Sequence, residues 1–215
     1  RAKVLEMLID SEDIKKLEKT KRLKLINSIT GVKPANLIGT KNKGGISNLA
    51  IFSSVVHLGS KPPLLAFVTR TSKDVNRNTL NNILETKYYT INQIQKEFVK
   101  NAHYTSAKFN ENISEFEMCK IEEENIDDFF APFVKKSNLK IGMELKEMIP
   151  IKSNDSTLVV GQVMKIIIDK SFLKNDFMFD LEKSGSIAIG GLNEYFTIKN
   201  LDHFPYVRLN DFPKF

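Results

Sequence analysis

Cysteine is nearly missing from this 215-residue chain. Cys119 stands alone, which excludes an internal disulfide and any multi-cysteine metal site and suits a reducing compartment. Long apolar runs are missing as well: no window approaches 18 consecutive apolar residues, so the sequence offers no membrane-spanning helix. The stretch Arg1–Asp10 carries Lys3, Glu6 and Asp10 where a secretory signal would need an apolar core. The expectation is a soluble, cytoplasmic protein with no membrane partner. Histidine is scarce, and His57, His103 and His203 stand far apart with no carboxylate at ligand spacing, so no metal site is expected. A Walker phosphate loop, a strand-to-helix Gly-x-Gly-x-x-Gly, a His-Glu-x-x-His and a Gly-x-Ser-x-Gly elbow are all lacking. Arginine is sparse, at five of 32 cations, whereas nucleic-acid readers lean on Arg forks.

What is present reads as an ordinary globular domain. Hydrophobic residues make up 41% and charged residues 27%, away from the composition of disordered chains. The net charge of +6 sits in the first 43 residues. Residues 1–43 hold 11 Lys+Arg and 5 Asp+Glu, which gives +6, and residues 44–215 hold 21 of each sign. Lys15, Lys16, Lys19, Lys21, Arg22 and Lys24 fit the wet face of one helix capped near Ser11, with Ile14 and Leu17 turned inward. No nucleic-acid partner is expected. The organisation is a helical basic leader, 1–30, packed on a single domain, 31–215.

Six β-rich runs follow the leader: Asn36–Lys41, Asn48–His57, Leu64–Arg70, Tyr88–Ile94, Gly142–Lys152 and Thr157–Asp169. Turn residues at Asn42–Gly45, Gly59–Pro63 and Ser153–Ser156 separate them. Met143, Leu145, Ile149 and Ile151 alternate with Glu144, Lys146 and Lys152, the period of a half-buried strand. Thr157–Asp169 is apolar on both faces and needs cover on both, from helices or a second subunit. Helices are expected where Thr79, Leu80, Ile83 and Leu84 recur behind an Asn76 or Asn78 cap, and where Phe98 and Ala102 follow Gln95. Glu122, Glu123, Glu124, Asp127 and Asp128 mark an acidic surface loop or helix start. The fold class is mainly β with added helices, arranged as a barrel.

Small hydroxyls and amides gather where strands meet turns: Thr40, Ser47, Asn48, Ser53 and Ser54, then Arg77, Asn78 and Thr79. Such donors, with a cation and the N-terminus of the 79–85 helix, suit a phosphate monoester. The plainer alternative is that they fill turns and caps, and spacing leaves both open.

Lys33-Pro34-Ala35-Asn36-Leu37-Ile38-Gly39-Thr40 resembles the Arg-Pro opening strand, ending in Ser-Thr, of the flavin reductase-like family of FMN-binding split barrels. Gly45-Ile46-Ser47-Asn48-Leu49-Ala50-Ile51-Phe52-Ser53 is similar to its Gly-x-x-Asn-Leu-Ala-Pro-Phe-Ser strand, and Pro62-Pro63-Leu64 follows at family spacing. Arg77-Asn78-Thr79-Leu80-Asn81-Asn82-Ile83 resembles the Lys-Asp-Thr-Leu-x-Asn-Ile helix start, and Tyr89-Thr90-Ile91-Asn92 the next strand. Ala102–Phe109 and Ser114-Glu115-Phe116 look like one subgroup, with weaker similarity at Gly161-Gln162-Val163 and Gly190-Gly191-Leu192. Ile51 departs from the family Pro, Ser54 and Val56 from the following aromatic and Asn, and Arg77-Asn78 from Lys-Asp.

The resemblance implies FMN at a homodimer interface, with NADH or NADPH as hydride donor. It implies that Arg77, Asn78 and Thr79, with Ser47 or Asn48, hold the phosphate, and that Thr40 and Lys33 reach the phosphate or ribityl chain. Backbone around Leu49, Ala50, Ser53 and Ser54 would face the flavin edge, and His103 and Tyr104 the nicotinamide, from the partner subunit. No catalytic side chain is named, because hydride transfer belongs to the cofactor. The implied activity is NAD(P)H:flavin reduction, with reduced flavin supplied to a partner. The alternatives are a flavoprotein that carries electrons or oxidises another substrate, and a non-catalytic ligand-binding barrel.

Overall fold

The computed structural model describes residues 6–70, 78–209 and 212–213. The leader forms two helices, α1 (Ser11–Lys16) and α2 (Lys19–Ser28), instead of one. Asp10 caps α1, accepting the Glu12 and Asp13 N–H groups while Asp13 accepts the Asp10 N–H. That capping box satisfies donors the helix would otherwise leave open. Leu17 turns extended and ends α1, and neither helix has a buried residue. Ile14 and Leu17 are only half-buried.

The strands are β1 (Lys33–Pro34), β2 (Asn36–Lys41), β3 (Ser47–Phe52), β4 (Val56–Ser60), β5 (Pro63–Arg70), β6 (Tyr88–Gln93), β7 (Glu123–Glu124), β8 (Phe133–Val134), β9 (Leu139–Ile151), β10 (Ser156–Ile168), β11 (Ile187–Gly190) and β12 (Glu194–Thr197). Helices α3 (Asn78–Thr86), α4 (Val99–Tyr104) and α5 (Glu115–Met118) lie between them. Seven strands form one antiparallel sheet in the order β3–β2–β6–β9–β10–β5–β4. β1–β11–β12 make a small second sheet, and β7 pairs with β8.

The large sheet curls on itself. Phe52 on β3 and Phe67 on β5 meet edge to face, with centroids 5.0 Å apart, although four strands separate β3 from β5 in the sheet order. Among the described residues no ladder joins β3 to β5. A side chain spans the gap instead: Ser54 Oγ accepts the Val68 N–H (3.0 Å) and donates to the Val68 carbonyl (3.1 Å). The predicted run Asn48–His57 breaks into β3 and β4 around this clasp.

β2 is buried on both faces, because successive side chains of a strand point opposite ways. Ile38 enters the barrel interior with Phe67, Leu80, Ile83, Tyr89, Ile91, Met143 and Val159. Leu37 enters an outer core with Leu49, Ile94, Phe98, Phe116, Val134 and Ile189. Asn92 and Thr90 attach the 132–134 segment to this frame: Val134 N–H donates to Asn92 Oδ1 (2.9 Å), and Thr90 donates to the Pro132 carbonyl (2.6 Å). The acidic segment forms β7 and its flanks. It is held by Lys135–Glu122, Lys41–Glu123, Lys140–Glu124 and Lys165–Asp127 ion pairs.

The alternation expected along β9 holds at Met143 and Leu145 and then changes phase. Val160 faces Glu147 while Gly161 faces Leu145, so Lys146 is an extra residue in the ladder. One inserted residue turns the following side chains to the opposite face. Met148 packs on the interior and Ile149 is 43% exposed. On β10, Val159 and Val160 are both buried, whereas Met164 and Ile166 face outward.

Candidate functional site

The first residues of β3 meet the first turn of α3. Asn48 and Thr79 lie 3.0 Å apart, and Asn82 Nδ2 donates to Thr40 Oγ1 at 3.0 Å. Two side-chain bonds therefore lock α3 onto β2 and β3, and all four residues are buried. The nine-residue helix leaves its first N–H groups without intrahelical acceptors, a positive end suited to an anion. Beside it a polar cleft of about 180 Å³ is lined by Asn42, Asn48, Asn78, Asn82, Glu85 and Glu111.

Ser47 opens on the other side of β3 into a pocket of about 480 Å³ that Gly45, Ser114 and Phe116 also line. Ser114 Oγ is buried there without a hydrogen-bond partner among the described residues. Next to it lies the acid of the Ser114-Glu115-Phe116 motif, a residue with no expected role in the site. Glu115 is buried, and its Oε2 accepts the Leu49 N–H at 2.9 Å. Burial pushes the Glu115 carboxyl above the ordinary carboxylate range, and the Leu49 and Glu115 N–H groups pull it partly back. Burial, then the Glu115 charge, raises the Cys119 thiol. The signal for Glu115 was its neighbourhood, an acid directly before Phe116 on a segment otherwise destined for the core.

Asn48, Thr79, Thr40 and Asn82 thus come together at one strand end, with Asn78 on the cleft wall, whereas Ser47 opens to the opposite side of β3. Leu49 gives its side chain to the outer core and its N–H to Glu115. Ala50 on that strand and Ser53 just past its end are half-buried, and the Ser54 hydroxyl is occupied by Val68. Thr40 is fully enclosed. Lys33 lies in the small sheet, where its Nζ donates to the carbonyls of Asn27 (2.7 Å) and Gly191 (3.4 Å). His103 Nδ1 lies 2.8 Å from the Tyr195 hydroxyl, with Tyr104 and Tyr195 edge-on to its ring and Tyr104 exposed. Among the described residues no hydrogen bond joins Lys33, His103 or Tyr104 to the Asn48–Thr79 group. Arg77 lies outside the described residues. Among those described, no group of three or more His, Cys, Asp or Glu could hold a metal, and no helix is long and apolar enough to cross a membrane.

Comparison with known proteins bears on this arrangement directly. Residues 32–183 match the flavin reductase like domain. A split-barrel protein from Shewanella frigidimarina NCIMB 400, named as a candidate flavin reductase, superposes with a TM-score of 0.89 at 38% identity, over 94% of this chain and 100% of that one. Nitrilotriacetate monooxygenase component B from Bacillus cereus shares the fold, with a TM-score of 0.81 at 19% identity over 93% and 99% of the two chains. An uncharacterised protein of Aquifex aeolicus strain VF5 is 25% identical over 171 residues, 78% of this chain and 86% of that protein.

Proposed function

Because the chain belongs to the flavin reductase-like domain family and has its split-barrel fold, we propose that it is an FMN-binding flavin reductase. It takes a hydride from NADH or NADPH and passes reduced flavin to a partner, in the cytoplasm and as a homodimer. The observation that carries this reading is the junction of β3 with the α3 N-terminus, where the buried side chains of Asn48 and Thr79 lie 3.0 Å apart beside the first turn of the helix. These donors fit a phosphate monoester, and the family pattern adds Arg77 as cation. When bound, the flavin supplies the hydride-accepting chemistry. The chain's own work is positional. Thr79, Asn78 and the α3 amides hold the phosphate, with Asn48 and Ser47 beside them. The half-buried run Ala50–Ser53 offers backbone groups to the ring edge, with Ser54 fixing where that run leaves the sheet.

The enclosed Thr40 reaches this site by holding Asn82, and thereby α3, in register. Lys33 is better placed to fasten the leader, whose Asn27 carbonyl it binds, so the proposed organisation keeps residues 1–30 as an appendage of the 31–215 domain. His103 and Tyr104 are proposed to serve the nicotinamide side across the dimer. An absorption spectrum of the purified protein, taken before and after NADH without oxygen, tests the whole reading. Flavin bands that bleach with NADH are expected. A protein that takes up no FMN at high micromolar concentration would overturn it.

A further inference from the structure

Past Thr197, the last residue of β12, the chain continues as an arm with no strand or α-helix. Its departure is fixed, because the Asn200 N–H donates to Glu182 Oε2 at 3.0 Å. Beyond that point Leu201, Phe204, Tyr206, Val207 and Leu209 are 68–99% exposed. Scattered apolar residues on a surface are ordinary, whereas so dense a run marks an interaction site. Pro205 fixes its own φ and keeps Phe204 extended, so the arm does not coil into a helix that would hide one face. It does not fold back either: Leu181, next to the Glu182 that holds its root, is 50% exposed. At roughly 3.3 Å per residue the stretch 201–212 reaches about 40 Å, against a radius of gyration of about 17 Å for a compact chain of this length.

The whole-chain surface gives the scale of what is uncovered. A compact monomer of 24.5 kDa exposes about 10,000 Å², and this chain exposes 14975 Å². Granting the residues outside the described ranges the full unfolded-chain value of about 1.45 Å² per dalton accounts for about 2,600 Å². An excess of more than about 2,000 Å² is left. Standard interfaces take about 800 Å² from each partner and obligate ones about 1,000–2,500 Å², so the excess has the size of one partner's share of an obligate interface. The arm's charges balance, Lys199 and Arg208 against Asp202 and Asp211, which selects neither a polyanion nor a charged membrane. A permanently apolar arm needs a partner present in equal amount at all times, and a second copy meets that condition. Each copy also carries uncovered apolar surface to receive one, at Val56 and Leu58 on β4 and Met164 on β10.

We propose that residues 201–212 form an exchange arm that crosses to a second copy of this chain and packs its apolar side chains on that copy's body, two arms closing one twofold dimer. This rests on the homodimer reading and supplies its contact. The chain has no Trp, so Tyr206→Trp places a single reporter in the arm. Light scattering should return twice 24.5 kDa, with Trp emission blue-shifted and shielded from iodide. On dilution the emission should move to the red and become quenchable along the same curve as the mass. Leu201→Ser, Phe204→Ser and Leu209→Ser combined alter only exposed positions, so circular dichroism should be unchanged while the dimer dissociation constant rises on the order of 1,000-fold. Exchange is read from mixed copies. Leu209→Cys takes a photoactivatable maleimide, Cys119 being buried; isotopically heavy chains so labelled, reassociated with light unmodified chains, should yield cross-links from heavy arms to light bodies. A monomer at micromolar concentration would overturn both the arm and the homodimer. A dimer whose Trp stays quenchable, whose dissociation ignores the triple variant, or whose cross-links are all heavy to heavy would overturn the arm alone. None of these measurements involves flavin, so the cofactor reading stands or falls separately.

Discussion

In the proposed reading Arg77 brings a cation to the phosphate, whereas Glu115 is a buried carboxyl bonded to the Leu49 N–H, and substitutions at the two should read out differently. Losing a charge-assisted phosphate contact costs about 1.5–3 kcal/mol, on the order of 10- to 150-fold in affinity. Arg77→Ala is therefore expected to weaken FMN binding by about that factor, with apoprotein melting unchanged. Arg77→Lys should recover part of the loss, keeping the charge without the planar fork; isothermal titration of both variants decides. For Glu115 the measured quantity is stability. Its pKa in the fold is raised above the ordinary 4.5, so the stability it contributes is complete below that value and is lost as pH rises through the folded pKa. Glu115→Gln should accordingly melt above the unmodified protein at pH 7 to 8, with the gap closing toward pH ~4.5, as melting curves across pH would record. Of the polar residues in and beside the site, Asn48 and Thr79 were readable in the sequence because their strand and helix motifs are local. Glu115 was not, since an acid among Glu111, Glu117 and Glu122 looks like surface until α5 is docked on β3.

The elements were largely legible, and their exceptions have side-chain causes. β2, β5, β6, β9 and β10 follow the predicted runs within a few residues, because alternation and β-branched content are local signals. The division of Asn48–His57 depends on Ser54 finding Val68, and the phase change in β9 on an extra Lys146 opposite β10. Neither contact is visible along one chain segment. Close packing between β6 and β10 gives a further prediction. A Cβ at Gly161 would lie 2.1 Å from the Tyr89 hydroxyl, which is itself buried without a partner among the described residues. Gly161→Ala should cost about 1–3 kcal/mol by overpacking. Tyr89→Phe should leave stability level or higher, because it removes an unsatisfied buried hydroxyl. Together the two should cost less than their sum, as a double-mutant cycle by denaturant melting would measure. The rescue stays partial, since the ring Cζ is 2.9 Å from the same point.

At the scale of the molecule, apolar side chains remain uncovered on neighbouring parts of the large sheet: Val56 and Leu58 on β4, and Met164 and Ile166 on β10. If a second copy covers them, light scattering should return twice the 24.5 kDa chain mass, and Met164→Asp should shift the protein toward monomer. The strand order has a consequence for synthesis. The β9–β10 hairpin is wedged between β6 and β5, although both of those strands are made before it. A growing chain therefore holds two partial sheets, β3–β2–β6 and β5–β4, each with a bare edge awaiting the same late hairpin. From Gln93 to Ile168 is 75 residues (168 − 93), or about 4–15 s at roughly 5–20 residues per second. Throughout that interval the nascent chain is a template for stray strand pairing. Slower translation across codons 94–168 lengthens the exposure and lowers the yield of soluble protein.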